Sequence, residues 1–141
     1  MRIIVHGGAG GTAKKPAVRQ RELGAAAAAG TEAEDPVDAA VAAAAELESA
    51  PRFNAGVGSA VQSDGRIRTD AGLMTDDGTT GAACSMVGVE HAAEVARVVA
   101  SETPHVLLAG ERATDLAAAS GVATNRDLWT DRTREQWADL D

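Results

Sequence analysis

Apolar residues recur along this chain first at a helical and then at a strand period. The opening run Met1-Arg2-Ile3-Ile4-Val5-His6 is short and β-branched and ends in Gly7-Gly8-Ala9-Gly10-Gly11, which predicts a buried strand entering a glycine loop. Pro16 to Gly30 carries Leu23 and a run of alanines, a first helix of high propensity with Gly30 as its stop. The second helix has a sharper start: Asp35 as N-cap, Pro36 at the first helical position and Asp38 adding negative charge to the first turn. Val37, Ala40, Val41, Ala44 and Leu47 form its apolar stripe, and side chains so small imply a sheet or helix in close approach. The helix runs out at Ser49-Ala50-Pro51 and delivers the chain into the loop Phe53-Asn54-Ala55-Gly56-Val57-Gly58-Ser59.

Beyond that loop, strand periods take over. Asp64-Gly65 between two alternating runs predicts a two-residue hairpin turn. Met74 to Gly78 reads as a polar turn, in which Asp76 and Asp77 are solvated neighbours rather than a metal or acid/base pair. Gly81 to Val89 is small or apolar throughout, as in a central strand covered on both faces, with Cys84 a buried small hydrophobe. Ala92 to Glu102, with Val95, Val98 and Val99, predicts a third helix that Thr103-Pro104 breaks. His105 to Gly110 returns as a strand or sheet edge, and Glu111 to Ser120 makes a further helix closed by Gly121. The last twenty residues turn polar, with Trp129 as a tertiary anchor and a short helix around Trp137.

Composition narrows the partners. With 141 residues and 45% hydrophobic content the chain can bury a core as one globular unit or part of one. Aromatic content of 2% beside an acidic balance raises the question of disorder, which the regular apolar periods answer. A formal charge of -8 disfavours nucleic acid and anionic membranes as partners. No leader pattern and no apolar run of bilayer length is visible, so the expectation is a cytoplasmic protein. Cys84 is the single cysteine, which excludes an internal disulfide. Lysine occurs only at Lys14 and Lys15 while arginine supplies every other basic charge, which with the acidity suggests a halophilic source.

The glycine loops are the candidate chemistry. A phosphate cradle would need a Lys-Ser/Thr ending or the three-glycine dinucleotide fingerprint, and neither follows Gly7-Gly8. His6-Gly7-Gly8 is also like the oxyanion loop of esterases, yet no Gly-x-Ser-x-Gly elbow occurs in the chain. What remains is a loop whose small residues let backbone approach a substrate or a neighbouring chain terminus, with His6 a satisfied core histidine and His105 structural. In the second loop Asn54 sits between an aromatic anchor and two glycines that allow backbone amides and carbonyls to turn inward. No strong catalytic residue appears before Asp141, although the scaffold suits one.

Taken together, His6-Gly7-Gly8-Ala9-Gly10, Phe53-Asn54-Ala55-Gly56-Val57-Gly58, Asp70-Ala71-Gly72-Leu73-Met74, Gly81-Ala82-Ala83 and Thr103-Pro104-His105-Val106 stand in the order and approximate spacing of one family. The chain resembles the plant-type L-asparaginases and isoaspartyl aminopeptidases, relatives of aspartylglucosaminidase, over residues 2 to 121. It departs at Met74-Thr75-Asp76-Asp77-Gly78, where the family has a tighter Met-Asp-Gly, and in its short tail.

That resemblance implies an α/β fold, the αββα sandwich of the N-terminal nucleophile hydrolases, of which this chain would form the alpha-subunit half. Residues 1–121 would belong to the shared domain and 122–141 to a tail leading to the self-cleavage junction at Asp141. The nucleophile would be the threonine after Asp141, at the start of a beta chain, in an (alpha-beta)2 assembly. It would hydrolyse asparagine or isoaspartyl peptides; glycosylated asparagine is the alternative substrate, and a non-catalytic binding or assembly module the alternative class. Asn54 would hold the threonine, and Gly7 and Gly8 would form the glycine loop beside it. The resemblance also implies a structural sodium ion on the backbone carbonyls of Leu47, Glu48, Ala50, Phe53, Ala55 and Val57, with a tight turn holding no ion as the alternative. It implies no catalytic cofactor.

Overall fold

The computed structural model describes residues 1–9 and 15–140, a mixed α/β arrangement of five helices and three strands among those residues. Helices α1 (Pro16–Thr31) and α2 (Pro36–Ser49) pack side by side. α2 begins as its sequence dictates: Asp35 Oδ1 accepts the N–H groups of Val37 at 2.8 Å and Asp38 at 3.1 Å, a cap worth about 1 kcal/mol. The expected stripe is a different matter. α2 buries Ala39, Ala43, Leu47 and Glu48, so that of the stripe only Leu47 enters the core, while Val37, Val41 and Ala44 are half-buried and Ala40 is exposed. Alanine surrounds the helix axis, so hydropathy alone names no face. Close approach decides it, because a Cβ on Gly30 of α1 would lie 2.7 Å from the Ala39 carbonyl oxygen.

The sheet has the order β1-β2-β3, with β1 (Arg68–Met74) antiparallel to β2 (Thr80–Val87) and β2 parallel to β3 (Leu107–Ala109). Helix α3 (Ala92–Glu102), with the bounds its periodicity predicts, makes the crossover between the parallel pair and packs on β1 and β2. A Cβ on Gly81 would sit 2.5 Å from the Ala100 amide nitrogen, so glycine is what lets α3 lie so close to β2. α4 (Glu111–Ala119) joins the same core, in which Ala83, Met86, Val89, Val95, Val99 and Ala113 are buried together. α5 (Asp131–Ala138) is the short helix expected around Trp137.

β2 is central, but it is not covered on both faces. Gly81, Ala83 and Met86 are buried under the helices, whereas Cys84 is half-buried and Val87 is 43% exposed. Helices α3 and α4 pack against β2, and α1 and α2 do not. The change from odd to even buried positions has a local cause. Thr69 pairs with Met86 and Ala71 with Ala83, so β2 carries one extra residue there. Ser85 takes the bulge with φ 57, and its N–H donates to Asp70 Oδ1 at 2.6 Å.

Both hairpin turns use one design. Gln62 N–H donates to the Arg66 carbonyl and Gly65 N–H to the Gln62 carbonyl; Thr75 and Gly78 repeat the pattern with Thr79 and Thr75. Gly65 (φ 74) and Gly78 (φ 86) take the left-handed position, so each loop has three residues, a turn followed by a glycine bulge. The expected two-residue turn at Asp64-Gly65 is corrected accordingly. Asp77 Oδ1 accepts from the Thr75 hydroxyl and the Thr79 N–H, which makes it a turn residue, as its sequence position suggests.

The opening segment departs from expectation. Residues 1–8 form no strand, and Ile4 is 96% exposed. A β-branched run becomes a strand only against a partner's N–H and C=O groups, and no described strand lies alongside it. His6 is exposed rather than a core histidine, its Nδ1 accepting the Gly8 N–H at 3.1 Å. His105 is exposed too, its backbone N–H held by the Thr103 hydroxyl.

Candidate active site

The Asn54 loop is anchored from below by its neighbour. Phe53 is buried with Ala26 of α1 and Leu47 of α2, and Val5 and Leu23 pack around them. A Cβ on Gly7 would lie 3.2 Å from Phe53 Cδ1, so the first glycine loop rests on the same ring. From above, the loop is closed by backbone bonds: Val57 N–H reaches the Glu48 carbonyl at 2.7 Å and Gly58 N–H the Leu128 carbonyl at 2.7 Å. Gly56 passes so near two other segments that a Cβ would sit 2.8 Å from the Glu90 carbonyl oxygen.

Around this loop lies a cavity of about 460 Å³ lined by Gly7, Gly8, Asn54, Gly58 and three arginines, Arg19, Arg52 and Arg132. Gly7, Gly8 and Asn54, singled out from sequence, thus come together. Asn54 Oδ1 accepts the Ala60 N–H at 2.7 Å. A backbone N–H can only donate, so the bond fixes the amide orientation and leaves the Nδ2 donors for another group. Asp141 lies outside the described residues. Leu47, Glu48 and Ala50 carbonyls each already accept a backbone N–H, from Ala50, Val57 and Phe53 respectively. Each keeps a second lone pair, so with Phe53, Ala55 and Val57 the donor set is of the neutral, hard-oxygen kind.

Sequence reading missed the polar support behind the loop. The Glu48 carboxylate, 4% exposed, accepts the Ala93 N–H at 2.9 Å and so caps α3 from the end of α2. Burial pushes its carboxyl upward, against the pull of the Ala93 N–H and of His91, whose Nδ1 is 3.4 Å away. Glu90 accepts from the Ser49 hydroxyl at 2.7 Å and Arg126 Nε at 3.2 Å. Burial raises that carboxyl, but these bonds outweigh it and leave it lowered. Glutamates flanking the start of a helix were the available signal, but a cap donated from another element is invisible to local patterns.

The tail also reaches the site. Arg132 of α5 donates from one nitrogen to the Gly58 carbonyl at 2.6 Å and the Pro51 carbonyl at 3.3 Å, bracketing Asn54. Thr130 and Thr133 form a capping box that starts α5, and Trp129 meets Trp137 edge-to-face at 6.4 Å.

Asn54 is thus held by its oxygen beside the Gly7-Gly8 loop, with its amide nitrogen turned away from that bond. The family model described as Asparaginase (Asparaginase_2) matches residues 1–141, and the chain belongs to that family. It is 42% identical over 127 residues, 85% of its length, to the plant-type L-asparaginase of Pyrobaculum calidifontis. It is 39% identical over 98% of its length to the plant-type L-asparaginase of Pyrococcus abyssi. A third relative, the N(4)-(beta-N-acetylglucosaminyl)-L-asparaginase of Elizabethkingia miricola, is 32% identical over 74 residues, 52% of this chain and 22% of the relative. The chain spans 42% and 47% of the lengths of the two plant-type relatives. Among the described residues no helix is long and apolar enough to cross a membrane.

Proposed function

We propose that this chain is the alpha subunit of a self-processed amidohydrolase that cleaves L-asparagine, β-aspartyl peptides or both to aspartate. The observation that carries the reading is the convergence of Gly7, Gly8 and Asn54 on one cavity in a chain of this family. The nucleophile is the N-terminal threonine of a beta chain that begins after Asp141. A threonine hydroxyl is a weak nucleophile near neutrality, and scission supplies an α-amino group as its base. The hydroxyl attacks the side-chain carbonyl, ammonia or an amine leaves, and water releases aspartate from the acyl-enzyme. Asn54 Nδ2, left unoccupied by the Ala60 bond, would donate to the threonine or to the charge developing beside it.

The completed enzyme in this reading is an αββα sandwich in an (alpha-beta)2 assembly, with residues 122–141 as the tail toward the junction. The six loop carbonyls would hold a sodium ion that fixes loop shape and does no chemistry. Glycosylated asparagine is the second substrate reading, favoured by the likeness to the Elizabethkingia relative. Expression of the whole gene tests the proposal. Two fragments are expected, one of them starting with threonine directly after Asp141, together with ammonia release from asparagine or aspartate release from isoaspartyl dipeptides. An uncut, inactive product would overturn it, and activity on glycosylasparagine alone would select the second substrate.

A further inference from the structure

The cavity beside Asn54 is lined by Arg19, Arg52 and Arg132 and by no described carboxylate, in a chain whose formal charge is -8. Residues 10 to 14 contain no Asp or Glu. The three guanidiniums are not equivalent. Arg52 is neutralised by Glu22 at 2.9 Å. Arg132 is committed to the Gly58 and Pro51 carbonyls and to Gln136 at 3.0 Å. Arg19 has neither kind of partner among the described residues; its guanidinium carbon lies 5.8 Å from the centroid of the Phe53 ring.

Contact with an aromatic face orients a guanidinium without using its N–H groups, which remain free to fork onto a carboxylate. Phe53 is also the residue directly before Asn54, so the ring that seats the loop seats Arg19. We infer that Arg19 reads a second carboxylate on the substrate, that of the leaving amino acid in a β-aspartyl dipeptide. The inference rests on the amidohydrolase reading and narrows it. Asparagine has only its α-carboxylate and releases ammonia, so it lacks the second one; a β-aspartyl dipeptide carries another on its leaving amino acid.

The mature, full-length enzyme is assayed with β-aspartyl-leucine and with its C-terminal amide, which differ in that carboxylate alone. A charge-assisted contact held in ground and transition states alike should appear in KM, as a preference for the acid of about five- to tenfold in kcat/KM. Arg19→Gln should bring the ratio of acid to amide near one, and Arg19→Lys should keep part of it. Equal rates for the two dipeptides in the wild type, or an undiminished preference in Arg19→Gln, would overturn the inference while leaving the amidohydrolase reading intact. A mature wild type that cleaves neither dipeptide nor asparagine would remove both.

Discussion

Glu48 joins two parts of the molecule with two different groups. Its backbone carbonyl receives Val57 of the Asn54 loop, and its carboxylate receives the first turn of α3. Because burial raises the carboxyl above the usual glutamate range, the folded state binds its proton more tightly than the unfolded one. The stabilisation is therefore complete below the ordinary glutamate pKa and is lost as pH rises through the folded value. Glu48→Gln keeps an acceptor for Ala93 and removes the ionisation. Its melting midpoint relative to wild type should improve as pH rises from about 4; a pH-independent difference would refute this linkage. Asn54→Ala should lower turnover by about a hundredfold or more with little change in melting, since the side chain is exposed and makes one described bond. Unchanged kinetics would remove Asn54 from the site. Asn54 stands out in sequence because glycines and an aromatic frame it. Glu48 does not, because its carboxylate's partners lie more than forty residues away.

Elements differ in how much of themselves is local. The start of α2 is legible because Asp35, Pro36 and Asp38 satisfy the first N–H groups within one turn. Its buried face is not, because small apolar residues surround the axis and only contact with α1 and α3 breaks the tie. The bulge at Ser85 is equally hidden, since its counterpart Asp70 is on another strand. α5 is short, and its value lies in reach: Arg132 spans the loop from Pro51 to Gly58. Arg132→Ala should loosen that loop, seen as faster amide exchange at Val57 and Gly58, and cost about 1 to 3 kcal/mol where the carbonyls lose a charged donor. Exchange unaltered from wild type would show that α5 does not brace the loop.

At the scale of the whole molecule, apolar groups remain in water. Ile4 is 96% exposed, Met74 75%, Val106 62% and Leu107 55%, and the short strand β3 has an open edge. Exposed edges and apolar side chains favour association. The isolated 141-residue chain should therefore sediment as oligomers, and Leu107→Lys should raise its monomer fraction; a monodisperse wild-type monomer would contradict this. By itself the sequence determines the helices, the cap of α2, the turn positions and the loop motifs, because each is set by dihedral preferences and hydrogen bonds between residues a few positions apart. Only the tertiary structure decides which face of α2 is buried, where β2 shifts register, that Met1 to His6 lacks a partner among the described strands, and that the distant Arg19 and Arg132 share a cavity with Arg52 and Asn54. Those outcomes depend on which surfaces exclude water together, a property of contacts between segments that no single segment encodes.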